Sequence, residues 1–309
     1  MGINLKGRSL LTWLDYSKEE ILFLLELSIK LKAEKRLRHS RFAGKSVALI
    51  FEKRSTRTRC AFETALGEEG GHPVFLSTAD IQLGSKETVE DTACVLGRMF
   101  SAIEFRGFKQ STAEALAKYS GVPVYNGLTD QFHPTQALAD IMTFQEEFEK
   151  IAGKKICFVG DGRNNVARSL IVICSKLGIN ISIAAPKELH PDNEVIEKCT
   201  PIAKETGCTI TISSNLDEVK GAHALYTDVW ASMGEEAIKE ERVKLLKPYQ
   251  VNNELMARTG LSETIFMHCL PAIRGEEVST SVIDGQASRV WDEAENRKHT
   301  IKAIMLATL

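Results

Sequence analysis

The segment FEKRSTRTR (Phe51–Arg59) concentrates hydroxyl and guanidinium groups where a helix is expected to begin. It ends an apolar run, KSVALIFEK, and opens a helical pattern, STRTRCAFETALGEEG, for which Ser55 is the predicted N-cap. A helix N-terminus presents free backbone N–H groups and a partial positive charge. The hydroxyls of Thr56 and Thr58 and the fork of Arg57 would add side-chain donors. The segment therefore predicts an oxyanion site, with phosphate as the first candidate, although a capped helix with a solvated basic end would use the same residues.

A second candidate site is the glycine turn in FVGDGRNNVARS (Phe158–Ser169). Gly160 and Gly162 match the first two glycines of the dinucleotide-binding fingerprint, but Asn165 occupies the third position. No acidic residue ends the next predicted strand, so dinucleotide binding is the less favoured interpretation. The same strand–turn–helix geometry can instead direct Asn164 and Asn165 toward a small carboxylate.

Three further polar residues stand at predicted strand ends or helix starts. His133 precedes Pro134, a residue suited to the first helical position, so the imidazole can project from a helix start toward a ligand or lie at the surface before a turn. Asp228 ends an apolar strand and could hold an ammonium group or cap the next segment. Cys269 ends another apolar strand. A free cysteine usually packs as a small hydrophobe, but Asp228 one strand over would supply the polar neighbour that a functional thiol needs.

Short β-branched apolar runs alternate with amphipathic helical patterns along the chain, which predicts parallel sheets covered on both faces and joined by right-handed crossovers. The predicted strands are Val47–Glu52, Pro73–Ser77, Ala102–Phe105, Val122–Tyr125, Lys155–Val159, Ile181–Ala185, Thr209–Ile212, Ala224–Asp228 and Thr264–Cys269. The predicted helices include Lys18–Arg36, Thr88–Met99, Ser111–Tyr119, Thr135–Lys150 and Asn165–Leu177.

The turn at Ile151–Lys154 predicts a boundary between a first domain, residues 1–150, and a second, residues 151–309. The last segment, Ala287–Leu309, is predicted to form a helix that packs back on the first domain. Ligands of such α/β sheets bind at the carboxyl ends of the strands. We therefore expect two doubly wound parallel-sheet domains whose motifs converge on an interdomain active-site cleft.

STRTR after a buried strand resembles the phosphate-binding signature of the aspartate and ornithine carbamoyltransferases. Later segments occur in the order that this family uses, and they are EFRG (Glu104–Gly107), HPTQALAD (His133–Asp140), DVWASMGEE (Asp228–Glu236) and HCLPA (His268–Ala272). The resemblance covers nearly the whole chain. HCLPA and the SMG triplet resemble the ornithine branch, whereas the aspartate branch typically reads HPLPR and lacks the triplet. The resemblance implies that carbamoyl phosphate and L-ornithine give L-citrulline and phosphate, without a cofactor or a metal.

The resemblance also implies a set of residues for each substrate. For carbamoyl phosphate these are Ser55, Thr56, Arg57, Thr58, Gln82, Arg106, His133, Gln136, Cys269, Leu270 and Arg297. For ornithine they are Asn165, Asp228, Ser232 and Met233. The implied catalytic residues are Arg106, His133, Asp228 and Cys269. Cys269 would accept a proton or position the reacting amine rather than act as an acyl nucleophile.

Two residues before the helix Thr88–Met99 concern the assembly. The resemblance implies that the loop holding Gln82 reaches the site of a neighbouring subunit, in a homotrimer or an assembly of trimers. Lys86 on that loop suits a phosphate contact or plain solvent exposure equally well.

The SMG triplet, with Gly234, is expected to be a mobile lid.

Composition excludes several function classes. The chain has 309 residues, of which 43% are hydrophobic, which is enough for two domains with real cores. A net charge of −2 indicates neither a nucleic-acid partner nor a membrane surface. Seven cysteines without paired spacing argue against a disulfide framework or a structural zinc. The apolar runs are strand-length and no signal-peptide pattern is visible, so we expect a cytoplasmic protein. The resemblance implies a role in arginine metabolism.

Other functions remain possible at this stage. Putrescine carbamoyltransferase is the nearest, although Asn165 and the Asp228/Ser232 pair favour an amino acid over a diamine. A nicotinamide-dependent oxidoreductase would use the GDGRNN turn. A catalytically silent homologue is disfavoured because the set of site residues is intact.

Overall fold

The computed structural model describes residues 2–34, 40–77, 81–83, 86–231 and 236–309. The chain forms two compact units. The first contains Met1–Met142 and Glu295–Leu309, and the second contains Thr143–Ala294. Each unit holds its own parallel sheet, as the sequence predicts.

The first unit has a four-stranded sheet in the order β2-β1-β3-β4, with every pair parallel. Its strands are β1 Ser46–Phe51, β2 His72–Ser77, β3 Ala102–Arg106 and β4 Val124–Leu128. Its helices are α1 Lys18–Ala33, α2 Arg57–Glu68, α3 Val89–Met99 and α4 Gln110–Ser120, followed by α5 Pro134–Phe148, which continues into the second unit.

The second unit has a five-stranded sheet in the order β7-β6-β5-β8-β9, again with every pair parallel. Its strands are β5 Lys155–Val159, β6 Asn180–Ala184, β7 Ile210–Ser213, β8 Ala224–Tyr226 and β9 Ile265–Met267. Its helices are α6 Asn165–Leu177, α7 Asn193–Thr206, α8 Lys239–Leu246, α9 Asn253–Ala257 and α10 Thr280–Ile283, and α11 Val290–Thr308 runs from this unit into the first.

The inner strands are apolar because helices cover both of their faces. β1, β3 and β5 are buried along nearly their whole length, whereas the edge strands β2 and β7 are only partly buried. Side-chain caps fix several helix starts. Ser17 and Glu20 form a capping box on α1, and Thr88, Asn164 and Asp192 cap α3, α6 and α7.

The C-terminal part of α11 belongs to the first unit, as predicted for the last helix. Thr308 and Tyr125 share a hydrogen bond of 2.7 Å between their hydroxyls, and the carbonyl of Thr308 accepts from Gly7 N–H at 2.8 Å. Lys302 donates to Glu68 of α2 at 2.7 Å. These contacts hold the end of the chain against α2 and β4.

Two strands end earlier than the sequence suggests. β8 stops at Tyr226 and β9 at Met267, so Asp228 and Cys269 lie in the loops that follow. Side chains take part in hydrogen bonding just past both strand ends. The Thr227 hydroxyl donates to the Val159 carbonyl of β5 at 2.6 Å, and the backbone N–H of His268 donates to Glu293 at 3.0 Å. Among the described residues, no helix combines the length and the apolar character needed to cross a membrane.

Candidate active site

In the first unit, two guanidinium groups that are distant in sequence converge on the hydroxyl of Thr58. Thr58 lies in the first turn of α2 and is buried. Arg297 of α11 donates to its Oγ1 from Nη2 at 3.0 Å, and Arg106 at the end of β3 donates from Nη1 at 3.4 Å. Arg297 Nη1 also donates to Gln136 Oε1 of α5 at 2.6 Å. Three basic or polar side chains that are distant in sequence therefore surround one helix N-terminus, which is the arrangement that an oxyanion needs.

The start of α2 differs slightly from the prediction. The helix begins at Arg57, so the N-cap position belongs to Thr56, whose side chain makes no cap hydrogen bond. The correction is one residue, because Thr56 already has helical backbone angles. Ser55 nevertheless acts as a local cap, since its Oγ accepts from Thr58 N–H at 3.2 Å. Ser55 and Arg57 are partly exposed and Thr56 is exposed, so these residues are accessible to a ligand.

In the second unit, the side chain of Asp228 is the common acceptor of three groups. Its Oδ1 accepts from the thiol of Cys269 at 3.1 Å and from Val229 N–H at 2.8 Å. Its Oδ2 accepts from Asn164 Nδ2 at 2.8 Å. Asp228 is 8% exposed and Cys269 is partly buried. The predicted contact between the carboxylate and the thiol is therefore present in the structure.

The two units match the two domains of one protein family. The aspartate/ornithine carbamoyltransferase carbamoyl-P binding domain matches residues 8–146, and the Asp/Orn binding domain of the same enzymes matches residues 152–308. The chain belongs to the aspartate/ornithine carbamoyltransferase family.

Relatives along the full length are named for the ornithine branch. The ornithine carbamoyltransferases of Caldanaerobacter subterraneus subsp. tengcongensis and of Thermotoga maritima are each 63% identical to this chain over 312 residues, with 100% of both sequences covered. The solved structure of the ornithine carbamoyltransferase from Pyrococcus furiosus has a TM-score of 0.96 and 46% identity, and the match covers 99% of this chain and 98% of that one.

The imidazole of His133 is placed at the start of α5, directly before Pro134. The indole of Trp13 donates to the Pro134 carbonyl at 2.8 Å and thereby fixes this helix end. Burial lowers the pKa of His133 well below its usual value, and the charges of Arg297, Arg106 and Arg57 lower it further. The ring is therefore neutral near pH 7, with one N–H to donate and one nitrogen to accept.

Glu104, in the middle of β3, is a buried carboxyl that the sequence analysis quoted within EFRG but did not single out. It is 0% exposed, and neither of its oxygens has a hydrogen-bond partner among the described residues. Burial raises the pKa of Glu104 well above its usual value, while Arg106 and Arg297 oppose that shift. Its Oε1 occupies the space beside Gly127, where an added Cβ would approach to 1.9 Å. A charged residue type in the centre of an otherwise apolar strand was the available signal.

Asn164 is a second residue whose role was not fully predicted from the sequence. The resemblance selects Asn165, which is the first residue of α6. Asn164 is the N-cap, whose Oδ1 accepts from Val166 N–H at 2.7 Å while its amide donates to Asp228. Asn164 therefore orients the carboxylate, and Asn165 is the adjacent residue at the same helix start.

The remaining predicted site residues lie in loops or outside the described residues. Gln82 and Lys86 are exposed in the segment before α3, where the Gln82 carbonyl accepts from Glu87 N–H at 3.4 Å. Leu270 has a φ of 59° in the loop after β9. Ser232 and Met233 lie outside the described residues, as does the rest of the predicted lid.

One group of side chains has the composition of a metal site. Asp228, His268 and Cys269 each offer a ligand atom, and these atoms lie within 4.8 Å of one another. Both ring nitrogens of His268 are already engaged, because Nδ1 accepts from Leu270 N–H at 2.8 Å and Nε2 lies 3.2 Å from Glu277 Oε1. A metal ion at this place would have to displace one of those two contacts.

Proposed function

We propose that this chain transfers the carbamoyl group of carbamoyl phosphate to the side-chain amine of L-ornithine, giving L-citrulline and phosphate. Two full-length relatives at 63% identity carry the name of that enzyme. The observation that carries the proposal is the pairing of Asp228 with Cys269 in one unit, together with the Thr58 cluster in the other. An amine substrate needs the first and a phosphate substrate needs the second.

Carbamoyl phosphate is assigned to the first unit. Ser55, Thr56 and Arg57 bind the phosphate at the start of α2, where the helix dipole favours an anion. The Thr58 hydroxyl, Arg106 and neutral His133 donate to the carbonyl oxygen, and Gln136 binds the carbamoyl amide. In this assignment Arg297 also contacts carbamoyl phosphate, and its hydrogen bond to Gln136 holds that amide side chain in place. Gln82, Cys269 and Leu270 complete the substrate contacts.

Ornithine is assigned to the second unit. Asn165 binds the α-carboxylate with the backbone N–H of Met233, and Asp228 and Ser232 hold the α-amino group. A carboxylate has about four acceptor positions, and Asp228 uses three of them on Cys269, Val229 and Asn164. One position therefore remains for an ammonium group. Cys269 beside Asp228 is then placed to position the reacting amine or accept its proton.

The chemistry follows from these assignments. Attack by the neutral amine on the carbonyl carbon forms a tetrahedral oxyanion, which Arg106, His133 and Thr58 stabilise as preorganised donors. The departing phosphate is stabilised by Arg57 and the helix start, and it can itself accept a proton from the amine. Orientation of the two substrates supplies a large share of the rate enhancement.

The domain boundary, the assembly and the setting are also proposals. We place the boundary between the two substrate-binding domains at residues 150 and 151, and the family matches at 8–146 and 152–308 support this division.

We propose a homotrimer, supported by the exposed position of Gln82 before α3. A mass of about three times 34.2 kDa by light scattering is expected, and a fully active monomer would overturn it. We also propose a cytoplasmic setting, supported by seven cysteines that form no disulfide, and a role in arginine metabolism, supported by the relatives named ornithine carbamoyltransferase.

The proposed function is tested by a citrulline assay. Ornithine, putrescine and aspartate are supplied side by side with carbamoyl phosphate. Ornithine should be the preferred acceptor by a wide margin in kcat/KM. Equal or better turnover of putrescine would overturn the assignment of Asn165 and Asp228 to an amino acid.

A further inference from the structure

The loop after β9 holds the proposed reacting centre in a backbone conformation that needs support. β9 ends at Met267, so His268, Cys269 and Leu270 follow it without strand partners of their own. Leu270 has a φ of 59°, a region that costs non-glycine residues energy and persists only where neighbouring groups enforce it. Two buried glutamates that the proposed mechanism does not use supply this enforcement.

Glu293, in α11, is the first of them and is 0% exposed. Its Oε1 accepts from the hydroxyl of Tyr226 at 3.0 Å, and its Oε2 accepts from the backbone N–H of His268 at 3.0 Å. Tyr226 stands two residues before Asp228, and His268 stands one residue before Cys269. The carboxylate thus joins the ends of β8 and β9 at the places from which the carboxyl–thiol pair projects.

Glu277 is the second and is also 0% exposed. Its Oε1 accepts from the backbone N–H of Ile273 and lies 3.2 Å from His268 Nε2. Since His268 Nδ1 accepts from Leu270 N–H at 2.8 Å, the ring proton is on Nε2, and it is donated to Glu277. The imidazole therefore ties Leu270 to Glu277 and closes the loop around Cys269.

We propose that Glu293, Glu277 and His268 are positioning residues that set the Cys269 thiol against Asp228. By fixing that 3.1 Å contact, they determine how well the second unit positions the reacting side-chain amine of ornithine. This inference rests on the proposed function, since it concerns the same site. Burying a carboxyl group is costly unless it is hydrogen-bonded, and the hydrogen bonds of these two groups go to the loop that holds Cys269 or to the end of β8.

The two glutamates make different use of their oxygens, and this decides which substitution removes the contacts of each. Both contacts of Glu277 go to Oε1, and its Oε2 has no hydrogen bond among the described residues. Glutamine can keep both contacts there, whereas leucine removes them. Glu293 uses both oxygens, but the Tyr226 hydroxyl can accept as well as donate, so glutamine could keep both of its contacts and only an apolar residue such as leucine removes them.

The test compares E293L, E277Q, E277L and Y226F with the unaltered chain. Three quantities are measured on each, together with melting temperature. They are the KM for ornithine, the Kd for carbamoyl phosphate by calorimetry, and the pH dependence of Cys269 alkylation. The alkylation is measured by mass spectrometry on the peptide that contains Cys269, because Cys60 and Cys94 are exposed and would react as well.

E293L and E277L are expected to raise the ornithine KM roughly 10–100-fold, as small misplacements do, and to shift the alkylation profile. Y226F removes one contact and should give a smaller effect of the same kind. E277Q should match the unaltered chain in all three quantities. The carbamoyl phosphate Kd should change less than the ornithine KM throughout, since most of the proposed contacts of carbamoyl phosphate lie in the other unit.

The proposal is overturned if E293L and E277L keep the ornithine KM and the alkylation profile of the unaltered chain, whether or not their melting temperatures fall, or if E277Q changes both quantities as E277L does. If E293L does not fold, Y226F and E277L decide by the same criteria. If the unaltered chain forms no citrulline, the proposed function fails, but the alkylation profiles still decide whether these residues position Cys269.

Discussion

At the scale of single residues, the first unit concentrates positive charge in a small and mostly buried space. Arg106 and Arg297 both donate to Thr58, and the charge of Arg57 reaches the imidazole of His133, whose pKa it helps to depress. Guanidinium groups that converge in this way repel one another unless an anion joins them. A phosphate at the start of α2 would relieve that repulsion and gain charge-assisted hydrogen bonds.

Arg57→Ala is therefore expected to weaken carbamoyl phosphate binding and turnover together. The loss should be about 2–4 kcal/mol of transition-state stabilisation, measured from kcat/KM. Arg59→Ala is the matched control, because Arg59 is on the same helix but pairs with Glu63 at 2.9 Å. Near-normal kcat/KM in the Arg57 variant would remove this residue from the site.

Asp228→Asn should affect the other substrate. The new amide cannot accept from Cys269, Val229 and Asn164 together, so the site for the ornithine ammonium is lost. The ornithine KM should rise at least tenfold, while the carbamoyl phosphate Kd by calorimetry stays within about twofold. Asp217→Asn, on an exposed turn where Asp217 pairs with Lys220, is the control. Equal weakening of both ligands would mean that Asp228 acts structurally.

At the scale of elements, two helical glycines have opposite surroundings. Gly97 of α3 lies against α4, where an added Cβ would come within 1.8 Å of the Ser120 carbonyl oxygen. Gly67 of α2 faces open space, with nothing within 4 Å of such a Cβ. The close approach of α3 and α4 therefore depends on the absence of a side chain at one position.

Gly97→Ala should destabilise the protein by about 1–3 kcal/mol or more, because backbone must move. Gly67→Ala should instead stabilise it by up to about 1 kcal/mol, the usual helical preference of alanine over glycine. The urea midpoints of the two variants measure both effects. A Gly97 variant as stable as the Gly67 variant would show that α3 and α4 can separate at no cost.

The elements were largely predictable because their signals are local. Each of the nine predicted strands overlaps one of the nine strands among the described residues, since runs such as VALIF in β1 are apolar on both faces. The strand ends were harder to predict, because the hydrogen bonds just past β8 and β9 join residues that are distant in sequence, Thr227 with Val159 and His268 with Glu293. Helix α7 was not among the predicted helices, and it contains Pro201, which local rules place outside helix interiors.

The candidate site was predictable only where a motif marks it. Motif residues such as Thr58, Arg106 and His133 fall together in the structure, as do Asp228 and Cys269. The buried carboxyls Glu104, Glu277 and Glu293 were missed. Glutamate is usually exposed, so a sequence alone predicts an exposed side chain. Only the folded chain shows which donors surround it.

At the scale of the whole molecule, two buried ionisable groups of the first unit make stability depend on pH in opposite directions. The pKa of His133 is depressed in the folded state, so the stability linked to it is present above its unfolded pKa of about 6.5 and is lost as pH falls below that value. The pKa of Glu104 is raised, so its contribution is present below its unfolded pKa of about 4.5 and is lost as pH rises toward the folded pKa. Both effects trace to burial.

Glu104→Gln isolates the second effect. Glutamine stays neutral in both states, so this variant should gain stability relative to the unaltered chain as pH rises from 5 to 8. The slope of that difference should approach ~1.4 kcal/mol per pH unit wherever Glu104 is ionised in the unfolded chain and protonated in the folded one. Urea unfolding at several pH values measures it, and Glu114→Gln, at an exposed position of α4, is the control. A difference that is flat with pH would mean that Arg106 and Arg297 keep Glu104 ionised in the fold, so that it serves them as a counter-charge despite its burial.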